Sequence, residues 1–242
     1  MAASAVEAEE EHPAPEDAGT AEDELPEFPL AALGEPEVAM APASSGPKAY
    51  ELITGTRPKF GEGREELPGG GFYEGPFRYA KREGKGVLVS NEAGTERYEG
   101  QFKEEYMHGA GRKTWPDGTV YEGQWQRGRK HGQGILEEPD GRRYSGQWLD
   151  GKRHGVGSQQ LDEQTRYEGR WENGMHHGTG KYFDLRLDTV FEGQWVCGAQ
   201  HGPGLLRGKK GHRERQTYSH GMLTSSEVLP IPVEYPPLPV SP

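Results

Sequence analysis

The sequence predicts an all-β fold: an elongated single antiparallel sheet of tandem β-hairpins, with irregular segments at both ends. Three observations carry this. Glycine is abundant, at 37 of 242 residues, while 31% of the chain is apolar. That is poor material for one deep globular core, but glycine and aromatics at regular spacing suit repetitive β architecture. An aromatic-x-Gly-x-aromatic signal, with Glu at the second place in five copies, recurs six times, and a Gly-x-Gly signal follows each copy.

The first signal stands at Tyr73-Glu74-Gly75 with Phe77, Tyr98-Glu99-Gly100 with Phe102, and Tyr121-Glu122-Gly123 with Trp125. It returns at Tyr144-Ser145-Gly146 with Trp148, Tyr167-Glu168-Gly169 with Trp171, and Phe191-Glu192-Gly193 with Trp195. The starts step by 25, 23, 23, 23 and 24 residues. The second signal is Gly84/Gly86, then His108-Gly109/Gly111, His131-Gly132/Gly134, His154-Gly155/Gly157, His177-Gly178/Gly180 and His201-Gly202/Gly204.

Within a unit, alternation places Tyr121, Gly123 and Trp125 on one face and Glu122 and Gln124 on the other. A glycine between two rings leaves a slot in which an aromatic side chain from a neighbouring strand can lie flat on the backbone. Residues 126–130 turn the chain, and His131-Gly132-Gln133-Gly134 opens the return strand. Leu136 lies on the ring face, as do Leu88, Tyr182 and Leu206 in other units. Pro116-Asp117-Gly118 and Pro139-Asp140-Gly141 are strong turn signals that end return strands. One hairpin cannot bury its aromatic face alone. Stacked units can, at roughly 10 Å per unit and about 60 Å for six.

This pattern resembles the MORN repeat (membrane occupation and recognition nexus), in which Y-E-G-x-W is followed by H-G-x-G. The resemblance covers residues 72–204. A worn seventh unit is expected at Tyr218-Ser219-His220-Gly221, with His220 where the glycine belongs. The array is thus expected over 72–221, after a linker or degenerate cap at 49–71 that contains Tyr50 and Phe60. Stand-alone MORN proteins are similar to radial-spoke and sperm-flagellum components. The resemblance therefore implies a cytoplasmic axonemal, ciliary, flagellar or cytoskeletal scaffold whose partners are proteins.

The net charge of −11 belongs to one end. Residues 1–48 hold twelve acids and one base, Lys48, so the remainder is neutral. That acidic Ala/Glu/Pro-rich segment is expected to be disordered, with Phe28, Leu30 and Leu33 as a short apolar cluster. Residues 222–242 are proline-rich, and Pro236-Pro237-Leu238-Pro239 fits a PxxP core. The single cysteine, Cys197, excludes an intrachain disulfide and a Cys-rich zinc site. No signal or transit peptide is expected at this acidic N-terminus, and no apolar run approaches the ~20 residues of a transmembrane helix. The Gly-x-Gly pairs lack the strand-to-helix context of a dinucleotide loop.

Two candidate surfaces follow. The aromatic face, Tyr98, Phe102, Tyr121, Trp125, Tyr144, Trp148, Tyr167, Trp171, Phe191 and Trp195, is expected to hold a partner helix or extended peptide. The turns of the third and fourth units carry Arg127, Arg129, Lys130, Lys152 and Arg153, five bases clustered on one edge. They are the alternative site, for an acidic partner or weak binding of acidic phospholipid headgroups. Corresponding positions later in the chain hold Asn173, Met175, His176, Cys197, Ala199 and Gln200. The histidine row is expected to pack beside turns, since neighbours about 10 Å apart cannot share a metal at ~2.0–2.1 Å Zn–N distances. The glutamates at 74, 99, 122, 168 and 192 are expected to pair with Arg97, Arg143 and Arg166 rather than to catalyse. No catalytic residue, cofactor, metal or nucleic-acid site is expected.

Overall fold

The structure is a computed structural model that describes residues 57–231. The acidic N-terminal segment, Tyr50 and the PxxP core lie outside the described residues. The described residues form one open antiparallel sheet of 16 strands. Its strands are β1 (Phe60–Glu66), β2 (Phe72–Arg78), β3 (Lys81–Arg82), β4 (Gly84–Val89), β5 (Arg97–Lys103), β6 (Tyr106–Thr114), β7 (Val120–Gln126) and β8 (Arg129–Glu137). They continue as β9 (Arg143–Leu149), β10 (Lys152–Gln160), β11 (Thr165–Glu172), β12 (Met175–Asp184), β13 (Thr189–Val196), β14 (Ala199–Arg207), β15 (Arg213–Ser219) and β16 (Met222–Val228). Strand order follows chain order, apart from the short β3, which pairs with β2 alone.

Each hairpin closes on two residues that both have positive φ. Examples are Glu104-Glu105, Arg127-Gly128, Asp150-Gly151, Asn173-Gly174 and Cys197-Gly198. Two left-handed residues give a turn whose twist matches that of the flanking strands, which is why glycine fills the second place so often. Asp150 and Asn173 tolerate the first place because short polar side chains bear the left-handed region better than most. The opposite edge is closed by wider loops; at Pro116-Asp117-Gly118 the Trp115 amide donates to the Thr119 carbonyl at 2.9 Å.

Register builds the core. Gly100, Gly111, Gly123, Gly134, Gly146, Gly157, Gly169, Gly180, Gly193 and Gly204 stand directly opposite one another across successive strands. Each tyrosine folds back over the glycine pair of its own hairpin. A Cβ built on Gly134 would sit 2.5 Å from Tyr121 Cζ, and one on Gly123 would sit 2.8 Å from Tyr121 Oη. The ring therefore covers one glycine on its own strand as well as the expected one on the neighbour. Its hydroxyl donates to the Gln124 carbonyl at 2.9 Å, and Tyr98, Tyr144 and Tyr167 repeat that bond to Gln101, Gln147 and Arg170.

The tryptophans join one repeat to the previous one. Trp125, Trp148 and Trp171 donate their indole N–H to the carbonyls of Gly111, Gly134 and Gly157 at 3.0–3.1 Å. Each ring also meets two tyrosines edge-on: Trp148 lies 5.3 Å from Tyr121 and 5.1 Å from Tyr144. This alternation runs unbroken from Phe77 to Tyr218. Edge-to-face geometry sets the positive rim of one ring on the negative face of the next.

The histidine signal marks a bulge. His131 pairs with Gln124 and Gly134 with Gly123, so Gly132 and Gln133 are extra residues on β8. Gly132 takes φ 56°, and a Cβ there would collide with the Gln124 amide oxygen. That oxygen instead accepts the Gln133 amide at 3.1 Å, as Gln147 accepts Val156 at 2.9 Å. The recurrent glutamine after Tyr-x-Gly is thus the plug of a bulge.

Both ends of the sheet are worn copies of the repeat. It begins at β1, inside the segment expected to be a linker or cap, and Phe60-Gly61-Glu62-Gly63 is a worn return strand whose Gly63 opposes Gly75. At the other end Tyr218 does not take the first aromatic place. Gly202 opposes Tyr218 as Gly178 opposes Trp195, so Tyr218 holds the tryptophan place, Gln216 the glycine place and Glu214 the tyrosine place. Gln216 and Ser226 donate to Glu214 there, and Tyr218 donates to Gln216. These polar residues end the aromatic stripe, as a terminal repeat requires.

Removing one ring should cost the contacts of both its neighbours. Trp148→Ala is expected to lose ~3–5 kcal/mol in chemical denaturation. Gly134→Ala should lose roughly 1–3 kcal/mol by overpacking against Tyr121, whereas Ser145→Ala, on the opposite face, should stay within about 0.5 kcal/mol of the parent.

Candidate interaction face and family

The ten candidate rings lie on one face, as the alternation requires, but they are not a free surface. None of them is more than 6% exposed. They form the core of the sheet, and this corrects the expectation that a partner contacts them directly. What remains accessible on that side are the residues packed over and beside them.

Beside the tyrosines run Leu88, Leu136, Tyr182 and Leu206, partly buried against the stripe with Met107 and Trp115. Over the rings lies a row that the sequence reading did not assemble: Arg82, Met107, Lys130, Arg153, His176 and Gln200. Each stands nine places after the first aromatic of its unit, directly before the Gly-x-Gly signal or its histidine in five of the six units. That fixed spacing was the available signal. Register puts Lys130 opposite Trp125, Arg153 opposite Trp148 and His176 opposite Trp171, so all three project to the ring face. Lys130 Nζ lies 4.3 Å from the Trp148 centroid, and the Arg153 guanidinium 4.6 Å from Trp171. His176 stacks on Tyr167 at 3.6 Å. A cation over an indole is held by the ring quadrupole.

The five basic turn residues therefore do not form one patch. Lys130 and Arg153 fold onto the rings, whereas Arg129 opposes Gln126 and Lys152 opposes Leu149, which places them on the other face. Arg127 occupies the turn itself, and Arg129 lies 4.0 Å from Asp150. The alternation of a strand divides neighbours in sequence between opposite faces.

Lys130 and Arg153 differ from Arg82 in the same row. Arg82 is neutralised by Glu65 at 2.8 Å and faces Glu105 at 3.6 Å. Among the described residues neither Lys130 nor Arg153 forms an ion pair. Burial, and secondarily the neighbouring Arg153, pushes the Lys130 ammonium down to about 8. Burial likewise depresses Arg153. Burial, with Arg153 adding to it, drives the His176 imidazole down to about 4. The buried hydroxyls of Tyr98, Tyr121, Tyr144 and Tyr167 are raised above the usual phenol range by desolvation. Between Lys130 and Arg153 lies a groove of about 320 Å³, floored by Leu136, Tyr144 and Trp148 and flanked by Gln159 and by Glu138, which Arg142 holds at 2.9 Å.

The other face is a lattice of charge. Glu74 pairs with Arg64, Glu99 with Arg97, Glu122 with Arg112, Glu168 with Arg166, and Glu192 with both Lys181 and Arg207. Arg97 and Arg166 bond along their own strands, while Arg143 reaches across to Glu137 rather than to a row glutamate. The histidines also project to this side, because His108, His131 and His154 oppose Gln101, Gln124 and Gln147. No group of three or more metal-ligating side chains comes together among the described residues. Cys197 is exposed in its turn.

The family model for the MORN repeat matches residues 73–92, 98–120, 121–141, 144–162, 167–184 and 191–213, more than half the chain. The chain belongs to the MORN-repeat family. Each MORN match starts on the tyrosine, or in the sixth the phenylalanine, that roofs a glycine pair. No individual curated protein matched the chain in comparison. MORN repeats occur in protein-interaction and in membrane-binding proteins. No helix among the described residues is long and apolar enough to cross a membrane.

His176 gives the MORN core an acid sensitivity. The folded state keeps this imidazole neutral down to about 4, while the unfolded one takes its proton near 6.5. Between those values the unfolded chain binds the extra proton, so stability falls as pH drops through the window. Relative to wild type, His176→Gln should remove about 2–3 kcal/mol of the loss between pH 7 and pH 4, measured by denaturant titration at both.

Proposed function

We propose that this protein is a non-enzymatic scaffold that holds a partner helix or extended peptide along the ring face of its repeat sheet. The observation that carries this reading is the groove over Tyr144 and Trp148. It offers an apolar floor with Leu136 and two flanking cations, Lys130 and Arg153, with which no carboxylate of the described residues forms an ion pair, the groove's own Glu138 being held by Arg142 at 2.9 Å. A half-buried cation beside a like charge is relieved by an incoming anion, and an apolar floor is relieved by an incoming apolar side chain. The partner segment therefore combines a carboxylate with a leucine- or phenylalanine-like residue. The outer glutamates are engaged by bases, which suits a structural role rather than general acid–base work.

The setting we propose is a cytoplasmic axonemal, ciliary, flagellar or cytoskeletal assembly, in line with the stand-alone repeat proteins this chain resembles. Headgroup binding by the basic turns is the weaker reading, because those five bases divide between two faces and the turn.

Proximity labelling in ciliated cells tests both parts. Wild-type protein should label axonemal or cytoskeletal proteins. Leu136→Asp should weaken capture of at least one of them about tenfold or more, while its thermal melt still shows a folded sheet. A labelled set without such proteins removes the proposed setting, and a set unchanged by Leu136→Asp removes the groove.

A further inference from the structure

Past the last strand the chain keeps to one corner of the sheet. The Leu229 amide donates to the Arg213 carbonyl at 2.8 Å, continuing the ladder between β15 and β16. Ile231 then lies against Gly211, where an added Cβ would meet its Cγ2 at 3.2 Å. Gly211 belongs to the loop of the sixth repeat, between β14 and β15, and Ile231 is exposed beside it. The loop of the fifth repeat, between β12 and β13, touches the sixth. Lys209 Nζ lies 3.9 Å from Asp188, and a Cβ on Gly208 would meet Thr189 at 3.7 Å.

The fifth loop holds Leu185 and Leu187, 66% and 67% exposed. They are fixed in place. The Asp184 carboxylate accepts the Arg186 and Leu187 amides at 2.9 and 3.2 Å, and the Leu185 amide donates to the Gln164 carbonyl at 2.9 Å. Two leucines held open to water gain from any apolar cover. Arg186 and Lys209 are engaged by Asp184 and Asp188, whereas Lys210 forms no ion pair among the described residues. The corner therefore suits a segment that combines apolar side chains with a carboxylate.

Residues 232–242 carry that set: Val233, Tyr235, Leu238 and Val240, with Glu234 as their one acid. Five of these eleven residues are proline. Proline has no N–H to give to a ladder, so the segment does not suit a further strand beside β16, and its apolar side chains need another surface. Its reach is sufficient. Three strand spacings, roughly 15 Å, separate the line of β16 from that of β13. Eleven residues extend to about 36 Å, and about four cover the gap, which brings Tyr235 to the leucines. A tethered segment acts at an effective concentration of about millimolar, whereas a second copy or a separate partner must first offset the entropy of association.

We propose that residues 232–238 fold back along the loop edge as a strap, with Tyr235 over Leu185 and Leu187 and Glu234 on Lys210. The strap sets Pro236-Pro237-Leu238-Pro239 against the sheet. It is separate from the groove over Tyr144 and stands whether or not that groove binds a peptide.

Paramagnetic broadening in the full chain tests it. A nitroxide is placed on Pro237→Cys, with Cys197→Asn removing the native thiol; asparagine already fills the same turn place at Asn173. The methyl signals of Leu185 and Leu187 should lose most of their intensity, while those of Leu136, near the middle of the sheet, keep it. Adding Tyr235→Ser, which lies outside the sixteen strands, should restore the two leucines. Lys210→Glu should lower the docked-to-free ratio about two- to fivefold, and Glu234→Lys beside it should bring the ratio back. Chains bearing the nitroxide, mixed with methyl-labelled chains that carry none, should broaden nothing. The proposal is overturned by intact leucine signals, by equal broadening of Leu136, by broadening that survives Tyr235→Ser, or by a charge exchange that restores nothing. Broadening of equal strength in the mixed sample also overturns it, and makes a second copy the occupant.

Discussion

A tyrosine ring lying flat on two glycines that face each other across neighbouring strands is the contact on which the rest of this molecule depends. It needs three residues from one hairpin and admits no side chain in two of those places. Because the glycines leave no Cβ, the ring can approach the backbone, and its hydroxyl reaches the carbonyl three residues on. Repetition of that unit lines the glycines into a stripe, and the stripe leaves room for a single layer of rings. Among the described residues no second layer packs on the sheet, and the rings thereby give it a dry face of their own.

The second aromatic turns separate hairpins into one body. An indole takes the carbonyl of the preceding repeat and stands between two tyrosines, so each interface between repeats is made by one side chain. Where phenylalanine stands instead, as at Phe77 and Phe102, the edge contacts persist but the indole hydrogen bond has no counterpart. The stability of such an array is therefore nearly a sum over nearest neighbours. Gly-x-Gly bulges, plugged by glutamine, supply the extra twist that lets successive rings interleave.

Burying the rings takes them off the accessible surface. What stays accessible on that side is the cover: leucines and tyrosine beside the stripe, and cations or histidine above it. Near the middle, Lys130 and Arg153 sit half-buried with no ion pair among the described residues, whereas Arg82 at the start of the array is already paired with Glu65. At the loop edge, the first four repeats carry acids, the fifth two exposed leucines and the sixth two lysines. Identical folds with unequal decoration are how a repeat array acquires distinct sites.

The sequence by itself determined the hairpin period, the single antiparallel sheet and the side of the sheet that carries the rings. Those follow from two-residue alternation and from glycine and aromatic spacing, which are local properties of the chain. It also placed Leu88, Leu136, Tyr182 and Leu206 on the correct face. Stacking also implied that the rings are buried, but only the tertiary structure decided that they leave almost no surface for a partner, because that depends on how closely neighbouring repeats approach. It alone separated Lys130 and Arg153 from Arg129 and Lys152, since the exact strand start after a tight turn sets which face each residue takes. It alone moved Tyr218 to the tryptophan place, because the motif letters had worn away and only cross-strand register with Gly202 could number that hairpin.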